Sequence, residues 1–165
     1  MEILLDKVTV NIGVGAGGEP LENAKELLKR LTGSKPVETL AKTRNPTFKT
    51  RKGDPIGTKV TLRGTSASEF LKKALDARDF KVAERSFDKG GTMSFGVKEY
   101  IEFPGAKYDP KIGMLGFDVC VTLKKPGVRI SRRRIASRKL PAKQRVSKPE
   151  AITFMQKNYK LELEQ

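Results

Sequence analysis

From Val119 to Pro149 the chain carries no acidic residue and eleven basic ones: Lys124, Lys125, Arg129, Arg132, Arg133, Arg134, Arg138, Lys139, Lys143, Arg145 and Lys148. So long a block of one sign repels itself in isolation, so it is expected to order only against a partner. Of the 165 residues 37% are hydrophobic, enough for one compact core or two small layers sharing one, and a single domain of 165 residues with appendages is expected. The formal charge is +15, from 34 Lys and Arg against 19 Asp and Glu, well beyond what solubility requires. A polyanion is the expected partner. Guanidinium forks match phosphate oxygens bidentately, so Arg129, Arg132, Arg133, Arg134 and Arg138 point to nucleic acid rather than to a solvated tail.

The chain has no histidine. That removes the side chain titrating nearest neutral pH, and with it His-based acid–base catalysis, Ser-His-Asp and Cys-His nucleophiles and His-ligated metals. Cys120 is the only cysteine; it sits in the apolar run Phe117 to Val121 and reads as a strand residue in a reducing compartment. No apolar run approaches the ~18 to 20 residues of a membrane span, and Met1 to Lys7 lacks the features of a signal peptide. The expectation is an intracellular protein without membrane, cofactor or metal.

Apolar periodicity outlines the elements. Ile3 to Ile12 reads as a strand with Val8, Val10 and Ile12 on one face and Thr9 and Asn11 on the other. The turn Gly13 to Gly18 leads into Pro20 and a helix with Leu21, Ala24, Leu27, Leu28 and Leu31 at helical spacing, stopped by Gly33. Val37 to Ala41 makes a short strand, and Lys42 to Gly57 a long exposed loop rich in turn formers. Thr58 to Arg63 alternates again, Val60 and Leu62 inward, Lys59, Thr61 and Arg63 outward. Ser66 with Glu69 has capping-box spacing before a helix bearing Phe70, Leu71, Ala74 and Leu75. Val97 to Phe103 and Phe117 to Leu123 read as strands joined by Pro104 to Gly116. Ser147 with Glu150 opens a last helix, and Lys160 to Glu164 alternates like an edge strand. The class is α+β: a mostly antiparallel sheet with helices packed on one face, plus long basic loops.

Two constellations compete for function. Gly13-x-Gly15-x-x-Gly18 follows a strand and precedes a helix, with Glu38 near the distance of a ribose-binding acid. Against dinucleotide binding, the chain is too short for both mononucleotide halves and has no continuing alternation of strand and helix. The same glycines serve as a tight turn, or as bare amides for a nucleic-acid phosphate. The other constellation is basic and aromatic: Arg44, Lys49, Arg51 and Lys52 surround Phe48 in the loop, suiting phosphate contact and stacking on an exposed base or sugar. Beside it, Lys59, Thr61, Arg63 and Asn11 give a polar sheet face. A DNA-compacting protein is a third reading from charge alone, with no helix-turn-helix, basic zipper or minor-groove wedge to support it.

Four segments together resemble a known family: Lys7-Val-Thr-Val-Asn-Ile-Gly-Val-Gly15, Leu31-Thr-Gly-Ser-Lys-Pro-Val37, Pro55-Ile-Gly-Thr-Lys-Val-Thr-Leu-Arg-Gly64, and Ser94-Phe-Gly-Val-Lys-Glu99 with Phe103-Pro104. In this order, over Lys7 to Leu123, they resemble the universal large-subunit ribosomal protein, number five of that subunit, that binds 5S rRNA. The resemblance implies a non-enzymatic, cytoplasmic ribosomal constituent that attaches 5S rRNA in the central protuberance. It further implies contacts to P-site tRNA, large-subunit rRNA, neighbouring ribosomal proteins and a small-subunit protein across the interface. By motif, Asn11 and Thr61 resemble the family's hydrogen-bonding contacts to 5S rRNA, with Lys59 and Arg63 as electrostatic candidates. Arg44, Lys49, Arg51 and Lys52 fall in the loop that projects toward the elbow of the tRNA. Ser34 departs from the glutamine common in bacterial members, and the basic insertion Pro126 to Pro149 is similar to the archaeal and eukaryotic branch.

Overall fold

The protein is described here by a computed structural model covering every residue except Met1 and Gln165. Among the described residues seven strands and four helices follow in chain order: β1 Leu4–Gly13, α1 Glu19–Thr32, β2 Val37–Leu40, β3 Pro55–Leu62, α2 Gly64–Asp76, β4 Lys81–Ala83, β5 Thr92–Val97, β6 Phe117–Lys124, the single turn α3 Arg129–Arg132, α4 Lys148–Tyr159 and β7 Glu162–Glu164. Five strands form one mostly antiparallel sheet in the order β2-β3-β1-β6-β5, and β4 pairs with β7 in a small parallel sheet. The α+β class expected from periodicity is therefore the class observed.

The chain divides into two compact units. One comprises Thr9–Leu62 and Gly96–Val119. Its β1 segment buries Val10 and Ile12 while Asn11 between them is half-exposed, the alternation a half-buried strand requires. Helix α1 buries Leu21, Ala24, Leu27 and Leu28, carries Glu19 and Glu22 in its first turn and Lys29 and Arg30 in its last, and packs against β3. Both charge placements favour the helix dipole. Gly33 caps it through Lys29 O.

Strand β3 begins at Pro55, so Pro55 and Gly57 belong to a strand rather than to the expected loop. Gly57 is buried because a neighbouring backbone comes too close for a side chain: an added Cβ would lie 2.7 Å from Ile12 O and 2.9 Å from Thr39 Oγ1. A second difference concerns Val97 to Phe103. The strand is β5, ending at Val97, and the chain then makes a 3-10 turn over Tyr100–Glu102. Tyr100 is the reason: its ring is buried, its backbone N–H donates to Leu115 O, and its hydroxyl accepts the Asp109 N–H at 2.9 Å. Side-chain alternation does not register a residue pinned in this way.

The other unit comprises the run up to Val8, Arg63–Phe95 and the chain from Cys120 on. Helix α2 buries Ala67, Phe70, Leu71, Ala74 and Leu75, as the spacing predicts. It starts at Gly64, earlier than the Ser66–Glu69 signature suggests, and no side-chain cap forms. Gly64 at φ 64° turns the chain from strand to helix within one residue, which places Ser66 inside the first turn. Helix α4, in contrast, has the expected capping box, with Ser147 N–H donating to Glu150 Oε2 at 3.0 Å. The Ser68 and Tyr159 hydroxyls, 3.1 Å apart, link α2 to α4. Residues Glu162–Glu164 find a parallel partner in β4, a strand too short to show a period of its own.

Candidate nucleic-acid interface

Strands β3 and β1 are neighbours, and each turns one polar row away from the core. On β3, Lys59 and Thr61 are exposed while Val60 and Leu62 are 3% and 4% exposed. On β1, Thr9 and Asn11 form the corresponding row. The side chains of Asn11, Lys59 and Thr61 make no hydrogen bond or ion pair to another group among the described residues. Their N–H and O–H donors are therefore available to ribose and phosphate oxygens. Arg63 stands in the other unit, immediately before α2, with its side chain 58% exposed. Its Nη1 lies 3.3 Å from both the backbone and the carboxylate oxygen of Asp6, so one edge of the guanidinium is engaged and the rest is open.

Asp6 was not among the residues singled out from sequence, yet it organises the cations of its unit. It falls in phase with Val8, Val10 and Ile12, so the alternation of β1 carries it inward, and its side chain is 1% exposed. Lys124 Nζ approaches one carboxylate oxygen to 2.9 Å and Arg132 Nη1 the other to 3.0 Å. Burial pushes the carboxyl pKa up, but hydrogen bonds from Lys124 and Arg132 outweigh that effect and hold it below its ordinary 3.8. An acid at an inward strand position requires a cation; that phase was the available signal.

The basic tract takes its counter-charge from outside itself. Arg132 is held by Asp6, Lys125 by Glu150 at 2.7 Å and Lys148 by Glu84 at 2.8 Å. Burial of the Lys125 ammonium is further supported by its bond to Arg145 O, and Lys125 together with the Ser147 amide brings the Glu150 pKa down to about 2. Within the tract, Arg133 Nε donates to Ala136 O, Arg138 N–H to Ile130 O and Ser137 Oγ–H to Ser131 O. Arg129, Arg134 and Arg138 are exposed and have no acidic partner among the described residues. Their guanidinium groups face water.

The β2–β3 connection is a small hairpin. Asn45 and Thr50 exchange N–H···O bonds of 3.0 and 3.1 Å, and Ala41 donates to Asp54 O at its base while accepting from Gly53 N–H. Arg44, Lys49, Arg51 and Lys52 are all exposed on it, without an acidic side-chain partner among the described residues, and Phe48 is 74% exposed. The hairpin therefore presents cations and one aromatic ring together.

The glycine turn is otherwise occupied. The Val14 and Gly15 amides both donate to Ile56 O, at 3.0 and 2.8 Å, and Glu38 is paired with Lys25 at 2.6 Å. The turn's first amides and the acid in the ribose-binding position are thus structural. Among the described residues no His, Cys, Asp and Glu group could hold a metal ion, and no helix is long and apolar enough to cross a membrane. Cys120 is half-buried, with its sulfur 3.5 Å from Ser94 Oγ.

Residues 1–51 match the family model described as ribosomal protein L5, and residues 55–158 match that of the ribosomal L5P family C-terminus. Relatives described as large ribosomal subunit protein uL5 align over nearly the whole chain. The one from Methanoculleus marisnigri is 51% identical over 162 residues, covering 98% of this chain and 97% of its own length. That of Sulfurisphaera tokodaii is 50% identical, covering 96% and 90%, and that of Thermoplasma volcanium 48%, covering 97% and 95%. The chain belongs to the ribosomal protein L5 family in its archaeal form, and is a structural constituent of the large ribosomal subunit rather than an enzyme.

Proposed function

We propose that the chain binds 5S rRNA and helps to attach it in the central protuberance. The observation that carries this reading is the polar row Asn11, Lys59 and Thr61 on neighbouring strands, free of protein partners among the described residues. A short amide and a hydroxyl on neighbouring strands recognise ribose and phosphate oxygens by geometry, and Lys59 supplies charge; Arg63, in the other unit, offers the open edge of its guanidinium as a further cation. The whole chain, with the basic insertion at Pro126 to Pro149, acts as the RNA-binding element. Arg129, Arg132, Arg133, Arg134 and Arg138 contact large-subunit rRNA or the neighbouring ribosomal proteins. The hairpin bearing Arg44, Lys49, Arg51 and Lys52 reaches the P-site tRNA backbone, and the same side of the particle meets a small-subunit protein.

The test is competition for labelled 5S rRNA by tRNA, duplex DNA and an unrelated RNA of equal length, at two salt concentrations. Selective 5S binding is expected to persist at the higher salt, while log affinity falls by about 0.7 to 0.9 per neutralised phosphate for each unit of log salt. Equal binding to all four nucleic acids, erased by salt, would reduce the activity to nonspecific adhesion.

A further inference from the structure

Between the Gly13–Ala16 turn and the β2–β3 hairpin lies an open groove of about 650 Å³, within the one compact unit that holds both. Its size falls in the range of sites that take a small organic ligand. Val14 and Ile56 give it an apolar lining, and Phe48 stands beside them with its ring mostly in water. The polar lining is incomplete. Asn45 uses its side-chain carbonyl to accept the Thr47 N–H at 3.0 Å, but its NH₂ group has no partner among the described residues, nor does the Thr43 hydroxyl. Lys42 lines the same groove, and Lys49 follows Phe48 on the hairpin.

An aromatic face, a donor without an acceptor and the Lys42 ammonium around an apolar recess, with Lys49 next in the chain to Phe48, match the three parts of an unpaired nucleotide: the π-face of the base, its hydrogen-bonding edge and its phosphate. A single peptide side chain supplies one of these complements at a time, whereas one nucleotide supplies all three. We propose that this groove receives one unpaired nucleotide of tRNA, with its base stacked on Phe48, its edge accepting from Asn45 and its phosphates beside Lys42 and Lys49. The site deepens, and rests on, the assignment of the hairpin to tRNA. It adds base capture to what would otherwise be backbone contact alone.

The test uses the full chain and a single-stranded RNA hexamer with a central 2-aminopurine and a terminal dye. Fluorescence of the 2-aminopurine reports stacking, and dye anisotropy reports association. The wild-type protein and Phe48→Tyr should quench the base severalfold. Phe48→Leu should abolish the quench and weaken association roughly tenfold; the exposure of Phe48 keeps the fold intact in both variants. A duplex of the same length should bind without quenching. Unlabelled tRNA should displace the hexamer and 5S rRNA should not. Quenching that survives Phe48→Leu, or displacement by 5S rRNA alone, would overturn the proposal. Lys49→Ala with Arg51→Ala separates the two readings: if it weakens tRNA binding while the hexamer is never quenched, the hairpin still meets tRNA and the groove is empty of base. If tRNA binding is unchanged, the tRNA assignment itself fails.

Discussion

Asp6→Asn removes a buried negative charge while preserving the side chain's shape. Two close charge-assisted bonds are lost, from Lys124 at 2.9 Å and Arg132 at 3.0 Å. Such bonds contribute roughly 1.5–3 kcal/mol each. The two cations are 37% and 53% exposed, so water screens them and the lower end applies, about 3 kcal/mol for the pair. The neutral carbonyl that remains can still accept one bond, which offsets about 1 kcal/mol. The expected loss is about 2 kcal/mol, or ~4–8 °C in Tm for a chain of this length. Urea denaturation followed by circular dichroism measures it. Acid gives a second signature. The folded pKa of Asp6 lies below the ordinary 3.8, so its stabilisation is fully present above that value and disappears as pH falls through the folded pKa. The difference between wild type and variant should therefore narrow below pH 3.8. Arg63→Gln should change stability by less than about 0.5 kcal/mol, since that contact is long, its guanidinium is mostly in water and Lys124 and Arg132 still hold the carboxylate. A variant as stable as wild type at neutral pH, or a difference indifferent to acid, would refute the reasoning: burial would then outweigh the pairing.

Thr61→Val keeps a strand-compatible shape and should leave the urea midpoint unchanged while weakening 5S rRNA binding by roughly 1 kcal/mol, about fivefold in Kd, in a filter-binding titration. Glu150→Gln retains an acceptor for the capping box but leaves the buried Lys125 ammonium with Arg145 O as its remaining partner. It should lower the urea midpoint at neutral pH, and because the Glu150 carboxyl sits near 2, the wild-type advantage should hold above the ordinary glutamate range and fade as acid approaches that value. Gly57→Ala forces a methyl against the Ile12 carbonyl and should destabilise by roughly 1–3 kcal/mol, seen as a lower Tm; an unchanged Tm would mean that the neighbouring strand yields.

Where local periodicity was decisive, the sequence alone determined the outcome. The inward series Val8, Val10 and Ile12, the stripe of α1, the outward pair Lys59 and Thr61 and the capping box of α4 each depend on residues a few positions apart, and the structure has all of them. The family was likewise legible, since its motifs are contiguous runs. The hairpin's basic and aromatic composition was visible as well, although its hydrogen-bonded form was not.

Tertiary structure decided everything that depends on distant partners. Asp6 meets Arg63 and Arg132 across separations of 57 and 126 residues, and no local pattern specifies which cation answers an inward acid. Tyr100 ends β5 because Asp109 and Leu115 hold it in a turn, and Gly57 stays in a strand because the Ile12 carbonyl leaves no room for a Cβ. The spacing of the glycine turn is compatible with a phosphate loop and with a tight turn alike, and it is the bonding of the Val14 and Gly15 amides to Ile56 O that makes its first residues structural. Periodicity reports which face of an element is buried; it carries no information on which atoms from elsewhere in the chain complete that face, because those contacts form only once the backbone has closed on itself.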